Sequence, residues 1–175
     1  MRFSRTVLLL GTALSLATAA PALAEDLNIG FIAPMTGGFA QVGKDMVDGF
    51  QMYLDEVNGD FAGAKVKLIV EDDQAKPDLG VTKAKKLILS DKVQMFVGGV
   101  LASTGYALAP VSTTEKTVYL ASIPASDDLT QRDASKYPYF FRTGWSSSQP
   151  HHALGAWACD QGSLWRARRV PQYRT

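Results

Sequence analysis

The sequence predicts an α/β domain built on a doubly wound, parallel, five-stranded sheet. Two observations lead to that class. Five short runs of β-branched and aromatic residues follow residue 24, and stretches with apolar side chains three and four apart alternate with them. The chain has 175 residues and is 46% hydrophobic, enough for one core and too little for two full domains. Strands joined through helices pair in parallel by right-handed crossovers, with helices on both faces of the sheet.

Leu27–Ala33 is the first strand and stops at Pro34. A glycine-dense loop runs from Met35 to Gly43. From Lys44 a helix turns Val42, Met46, Phe50, Tyr53, Leu54 and Val57 inward, until Asn58-Gly59 end it with residues that tolerate positive φ. Lys65–Val70 is the second strand, closed by Glu71-Asp72-Asp73, and Pro77 opens the second helix at its first turn, with Val81, Ala84, Leu87 and Ile88 inside.

The third strand, Met95–Val97, ends in Gly98-Gly99 and passes through Ser103 and Thr104 into a helix that continues to Glu115. Thr117–Ala121 is the fourth strand. A loop from Ser122 to Thr130 leads to the fifth, Tyr137–Arg142. Ser146–Pro150 then caps a fourth helix with Ala153, Leu154, Trp157 and Ala158 on its apolar face.

The two ends differ from this body. Residues 1–24 carry Arg2 and Arg5, an acid-free apolar run, and Ala22-Leu23-Ala24, the pattern of a secretory signal peptide cleaved before Glu25. The apolar run falls short of the ~20 residues that span a bilayer. Residues 163–175 hold four arginines and no acid, without strand or helix period, and read as a basic tail foreign to the fold, as frameshift or truncation would leave. Taking two arginines of the leader and four of the tail from 18 basic residues leaves 12 against 17 acidic, so the body, 25–162, is acidic at −5. Lys83, Lys85 and Lys86 face acids at Glu71, Asp72, Asp73, Asp78 and Asp91 and form a solvated helix face, not a nucleic-acid patch. The lone Cys159 has no partner for an internal disulfide.

Ligands of doubly wound sheets sit beyond the carboxyl ends of the strands, where strand order reverses. The richest of these ends is Gly98–Thr104. Its helix N-terminus offers free N–H groups to an anion, and Ser103 and Thr104 supply hydroxyls able to donate to a carboxylate or accept from an ammonium. Phe39 lies at a loop tip after two glycines, as a pocket wall or as packing for the first helix. Ala125 and Ser126 stand at the end of the fourth strand, where Ser126 also suits a helical cap.

Other chemistries lack their residues. His151-His152 are adjacent, so on a helix they point about 100° apart, whereas paired metal ligands need one face. No histidine is placed to activate Ser103, and no Gly-x-Ser-x-Gly elbow occurs, so no enzyme is expected. Gly98–Ala102 lacks the spacing and lysine of phosphate loops.

Taken in order, the leader, Ile29-Gly30-Phe31-Ile32-Ala33-Pro34-Met35-Thr36-Gly37, the Glu71-Asp72-Asp73 strand end, Val97-Gly98-Gly99 with Ser103-Thr104, and Tyr139-Phe140-Phe141-Arg142-Thr143 resemble the leucine/isoleucine/valine-type periplasmic binding proteins of ABC transporters. The resemblance runs from the leader to Gly162. It implies the N-terminal lobe of a type I periplasmic binding fold, in a two-lobed receptor that closes on a branched-chain amino acid or, in some members, an aromatic acid or amide. It further implies that the turn Ala102-Ser103-Thr104 and the loop Ile123-Pro124-Ala125 hold the ligand's carboxylate and ammonium, with Gly37-Gly38-Phe39 adding an aromatic wall. Branched-chain members carry serine where this chain has Ala102, which leaves aromatic acids open.

The expected function is an exported, periplasmic, monomeric solute receptor of an ABC importer, represented by one lobe. It would bind a small carboxylate through Phe39, Ala102, Ser103, Thr104, Ile123, Pro124, Ala125 and Ser126, without cofactor or metal, and serve an inner-membrane permease. The alternatives are an aromatic-acid or amide binding member of the same family, a ligand-sensing lobe of a signalling system and a truncated fragment without function.

Overall fold

The computed structural model describes residues 26–160 apart from 62, 132 and 134; the leader, its cleavage site and the basic tail lie outside the described residues. Strand β1 (Leu27–Ala33) is buried from Ile29 to Ala33 without alternation, as a central strand covered on both faces must be. Asp60–Phe61 (β2), Ala64–Asp72 (β3), Met95–Gly98 (β4), Val118–Ala121 (β5) and Phe140–Arg142 (β6) complete one sheet in the order β2-β3-β1-β4-β5-β6. All neighbours are parallel except β2, which pairs antiparallel with the start of β3. The chain steps from β1 to β3 on one side and returns to β4 on the other. The carboxyl ends of β1 and β4 therefore flank the point of reversal, in register at Ile32 and Gly98.

Helix α1 (Ala40–Glu56) covers one face, with Met46, Val47 and Phe50 against Phe31, Ala33 and Val97. The Phe31 and Phe50 rings meet edge to face at 5.6 Å. Helices α2 (Pro77–Leu89) and α3 (Ala102–Thr114) cover the other face. There Ala84, Leu87, Leu108 and Ala109 enclose Ile32, Phe96, Tyr119 and Phe140. Phe96 stacks on Tyr119 with centroids 4.6 Å apart, and Tyr119 meets Phe140 edge-on at 5.1 Å.

The five parallel strands and helices on both faces are those expected, with several differences. The hairpin strand β2 is an addition; two residues carry no period by which to see them. α1 begins at Ala40 rather than Lys44, so the glycine-dense loop is shorter and Gly43 is buried in the first turn, close to the Pro34 carbonyl. The inner stripe of α1 is Met46, Val47, Phe50 and Leu54, whereas Val42 and Tyr53 lie to one side and are exposed, because a straight 3.6-residue helix presents only part of a wide apolar arc to the sheet. The fifth strand starts at Phe140, not Tyr137. The fourth helix, α4 (Ser148–Asp160), forms but buries none of its residues, and Leu154 and Trp157, expected to face inward, are exposed. No described helix is long and apolar enough to cross a membrane.

Candidate functional site at the strand reversal

β4 leaves the sheet through two residues that only glycine can supply. Gly98 has φ +116°, and a Cβ there would lie 2.1 Å from the Ile32 carbonyl oxygen; Gly99 has φ +81°, and its Cβ would lie 2.7 Å from the Tyr119 hydroxyl. The turn delivers Leu101 in extended conformation to the N-cap position of α3, where it offers no capping side chain. The first amide of α3 with a backbone acceptor is that of Gly105, donating to the Leu101 carbonyl at 3.1 Å. Among the described residues the N–H groups of Ala102, Ser103 and Thr104 have no backbone acceptor, and no acidic side chain stands in this first turn. Three free donors and the positive end of the helix dipole thus meet at one place, with Ala102 and Ser103 exposed.

The loop after β5 closes on this turn. Ser122 N–H donates to the Gly98 carbonyl at 3.3 Å. Pro124 is fully buried, and a Cβ on Gly105 would stand 2.8 Å from its Cβ, so the loop and the first turn of α3 are in direct contact. Ile123 is exposed, and Ala125 and Ser126 are half-buried. The loop is anchored from below. The Ala125 carbonyl accepts from Ser147 N–H at 2.7 Å and from its hydroxyl at 2.9 Å, and Arg142 Nη1 donates to the Ser126 carbonyl at 3.0 Å while Nη2 reaches the Thr130 hydroxyl. Ser126 occupies the N-cap position of a 3₁₀ turn, Asp127–Leu129, yet its hydroxyl makes no capping bond.

The loop after β1 leaves the neighbouring strand end. Phe39 sits at the N-cap position of α1 and is 42% exposed. The preceding turn is tied to β3: Met35 N–H donates to Asp72 Oδ1 at 2.9 Å and the Thr36 hydroxyl to Oδ2 at 2.6 Å. Burial alone would raise the Asp72 pKa, but the Thr36 hydroxyl and the amides of Gln74, Met35 and Thr36 outweigh it and hold the carboxyl below the usual range.

The structure thus joins Ala102, Ser103 and Thr104 to Ile123, Pro124, Ala125 and Ser126 through the Pro124 contacts, and sets Phe39 beyond the adjacent strand end. Thr104 differs from Ser103: its side chain is fully buried and only its backbone amide belongs to the free first turn. Sequence reasoning passed over Asp73, fully buried at the end of β3, and Arg142, the anchor of the loop. Their signals were three acids closing an apolar strand, Glu71-Asp72-Asp73, and a cation closing another. Among the described residues no group of three or more His, Cys, Asp or Glu is placed to hold a metal ion.

A mostly parallel sheet whose strand order reverses between β1 and β4, with helices on both faces, defines the class of doubly wound α/β domains. Within that class the chain belongs to the periplasmic binding protein family, whose profile matches residues 26–169. It is 33% identical over 115 residues to the Leu/Ile/Val-binding protein BraC3 of Rhizobium johnstonii, covering 65% of this chain and 31% of that protein. It superposes with TM-score 0.72 and 31% identity on a solute-binding protein of an ABC transporter from Rhodopseudomonas palustris BisB5 in complex with 3,4-dihydroxybenzoic acid, covering 78% of this chain and 37% of the other. An ABC-type branched-chain amino acid transporter from Rhodopseudomonas palustris CGA009 gives TM-score 0.66 at 28% identity, over 71% of this chain and 34% of the other. The chain therefore spans about a third of the length of these relatives. Solute-binding proteins of ABC transporters, not enzymes, make up these matches.

Proposed function

We propose that this chain forms the first half of the ligand site of an exported solute receptor, which passes a small carboxylate to an inner-membrane ABC permease. The observation that carries the reading is the first turn of α3: three amides without backbone acceptors beside the exposed Ser103, at the point of strand reversal. The carboxylate would lie on those amides and the Ser103 hydroxyl, with Ala125, Ser126 and Ile123 on one side and Phe39 on the other. Pro124 and Thr104 support this floor from beneath. The residue 1–24 leader supports export to a periplasm, and nothing in the site calls for a cofactor or covalent chemistry.

Branched-chain amino acids are the first ligand class, in keeping with the Leu/Ile/Val-binding relative. A second class, aromatic carboxylates, is favoured by Ala102, which brings no hydroxyl to the exposed first turn, and by the dihydroxybenzoate complex of a relative. A site walled on one side buries much less of its ligand than the 70–90% of a good pocket, so affinity of this chain alone should be weak.

Amide NMR of the mature chain, titrated separately with leucine, isoleucine, valine, 4-hydroxybenzoate and 3,4-dihydroxybenzoate to millimolar concentration, tests the reading. The expected result is a saturable shift of the Ala102, Ser103 and Thr104 amides with at least one of them. Absence of any saturable shift at these amides with all five overturns it.

A further inference from the structure

Beneath the first turn of α3 two buried polar atoms lack partners. Asp73 and Thr104 are both 0% exposed, and among the described residues neither Asp73 Oδ2 nor Thr104 Oγ1 has a hydrogen-bond partner. Such groups are uncommon in folded proteins, because each forfeits its hydration without return. They come from different elements, yet both close on Gly80 of α2. A Cβ there would stand 3.5 Å from Thr104 Cγ2, 3.7 Å from Asp73 Cβ and 3.9 Å from Asp73 Oδ2. The other carboxyl oxygen is satisfied, Oδ1 accepting the Ala75 amide at 3.0 Å.

Thr104 has its methyl, not its hydroxyl, toward Gly80. Threonine in helices divides between two χ1 rotamers, and a turn of about 120° carries the hydroxyl into the place now held by the methyl. That turn directs Oγ1 to the side where Asp73 Oδ2 stands. We propose that Asp73 is the positioning residue of the ligand cradle, engaging the Thr104 hydroxyl across Gly80 and so setting the first turn of α3 according to its own protonation. With Asp73 neutral, Oδ2–H donates to Thr104 Oγ1. With Asp73 ionised, the threonine hydroxyl must donate instead, and a negative charge lies under the amides that receive the ligand carboxylate. The role in ligand binding rests on the reading under Proposed function; the coupling of Asp73 to α3 does not.

The surroundings favour the neutral form. Burial pushes the Asp73 carboxyl up, the Ala75 amide offsets part of this, and the charge of Asp72 adds to it. From β5, the buried Tyr119 hydroxyl donates to the Gly98 carbonyl at 3.3 Å, and burial together with the Asp73 charge pushes its own titration far up. The lysines of α2 that approach this strand end, Lys83 and Lys86, are paired with Glu71 at 2.6 and 2.5 Å. α3 brings only the Thr104 hydroxyl; its nearest titratable group, Tyr106, reaches Asp128 at 3.4 Å.

The test is a pH titration by NMR of the full mature chain, following the Asp73 carboxyl carbon and the Ser103, Thr104 and Gly105 amides. The expected result is one inflection shared by the carboxyl and the amides, above the ordinary aspartate range. Asp73→Asn should abolish it at the amides. Thr104→Ser, which retains the hydroxyl, should keep it; Thr104→Val should move the carboxyl midpoint upward by removing the donor to the ionised form. Amides that do not follow the carboxyl in the unmodified chain, or that follow it equally in Thr104→Val with an unmoved midpoint, overturn the proposal. Adding a carboxylate that shifts the Ser103 amide should move the shared midpoint upward, since ligand and ionised Asp73 oppose each other. If no carboxylate shifts any of the Ala102, Ser103 and Thr104 amides, the proposed ligand function fails while the titration still decides the coupling.

Discussion

Gly98 carries more of the site than any residue with a side chain. Its positive φ and its contact with the Ile32 carbonyl allow β4 to turn directly into α3, and without that turn the three free amides would not face the strand ends. Gly98→Ala combines a left-handed backbone with a Cβ set against a neighbouring main chain, and should cost about 3 kcal/mol or more, read as a lower urea midpoint. In the proposed site Ser103 acts at the same scale but on binding alone. It is exposed and makes no structural hydrogen bond among the described residues, so Ser103→Ala should leave the unfolding midpoint within error. Its effect should appear as a ligand Kd weakened roughly tenfold or more, the usual worth of a hydrogen bond to a charged group. A Kd unchanged by this substitution would place the carboxylate elsewhere.

At the scale of elements, Asp72 joins the β1–α1 turn to the end of β3, and it gives that joint a pH dependence. Its native pKa lies below 3.8, the ordinary value, so its stabilising effect is complete above the unfolded value and is lost as pH falls through the lower native one. The acid limb of the stability curve should therefore be flatter in Asp72→Asn, as measured by urea unfolding between pH 2 and 5 (about the range in which carboxylates titrate). Asp73 runs the other way. Its pKa is raised by burial, so the unfolded chain ionises first as pH rises and the native state loses ground until Asp73 itself ionises. The helices also differ in kind. α2 and α3 are inlaid in the core, whereas α4 buries none of its residues. Amide hydrogen exchange should show α4 protected by orders of magnitude less than α3, since helices without tertiary packing are marginal at this length.

For the molecule as a whole, the α2/α3 face behaves as one packed unit spanning four strands, from Ile32 through Phe96 and Tyr119 to Phe140. Phe96 lies at its centre, fully buried and stacked on Tyr119. Phe96→Ala should cost about 3–5 kcal/mol, a large share of the 5–15 kcal/mol typical of a domain, with an unchanged urea slope if the native state stays two-state. The opposite face is covered unevenly: α1 lies over β1, while Phe141 on β6 is exposed, as is Trp145 just beyond it. The proposed binding edge is thus supported by the more complete of the two cores.

The sequence by itself determined the number and kind of the parallel strands and helices, because β-branched runs and three-four spacings are local patterns that each element carries within itself. It also determined the Gly98-Gly99 turn, the polar first turn of α3 and the resemblance that the family match bears out. Only the tertiary structure decided that β1 lies between β3 and β4, which makes the ends of β1 and β4 the place of reversal. It alone parted two adjacent hydroxyls, leaving Ser103 in the open and burying Thr104 beside Gly80 and Asp73. The physical reason is common to these cases. Burial depends on which elements come together, and residues far apart in the chain, such as Asp73, Gly80 and Thr104, leave no spacing by which their meeting could be read.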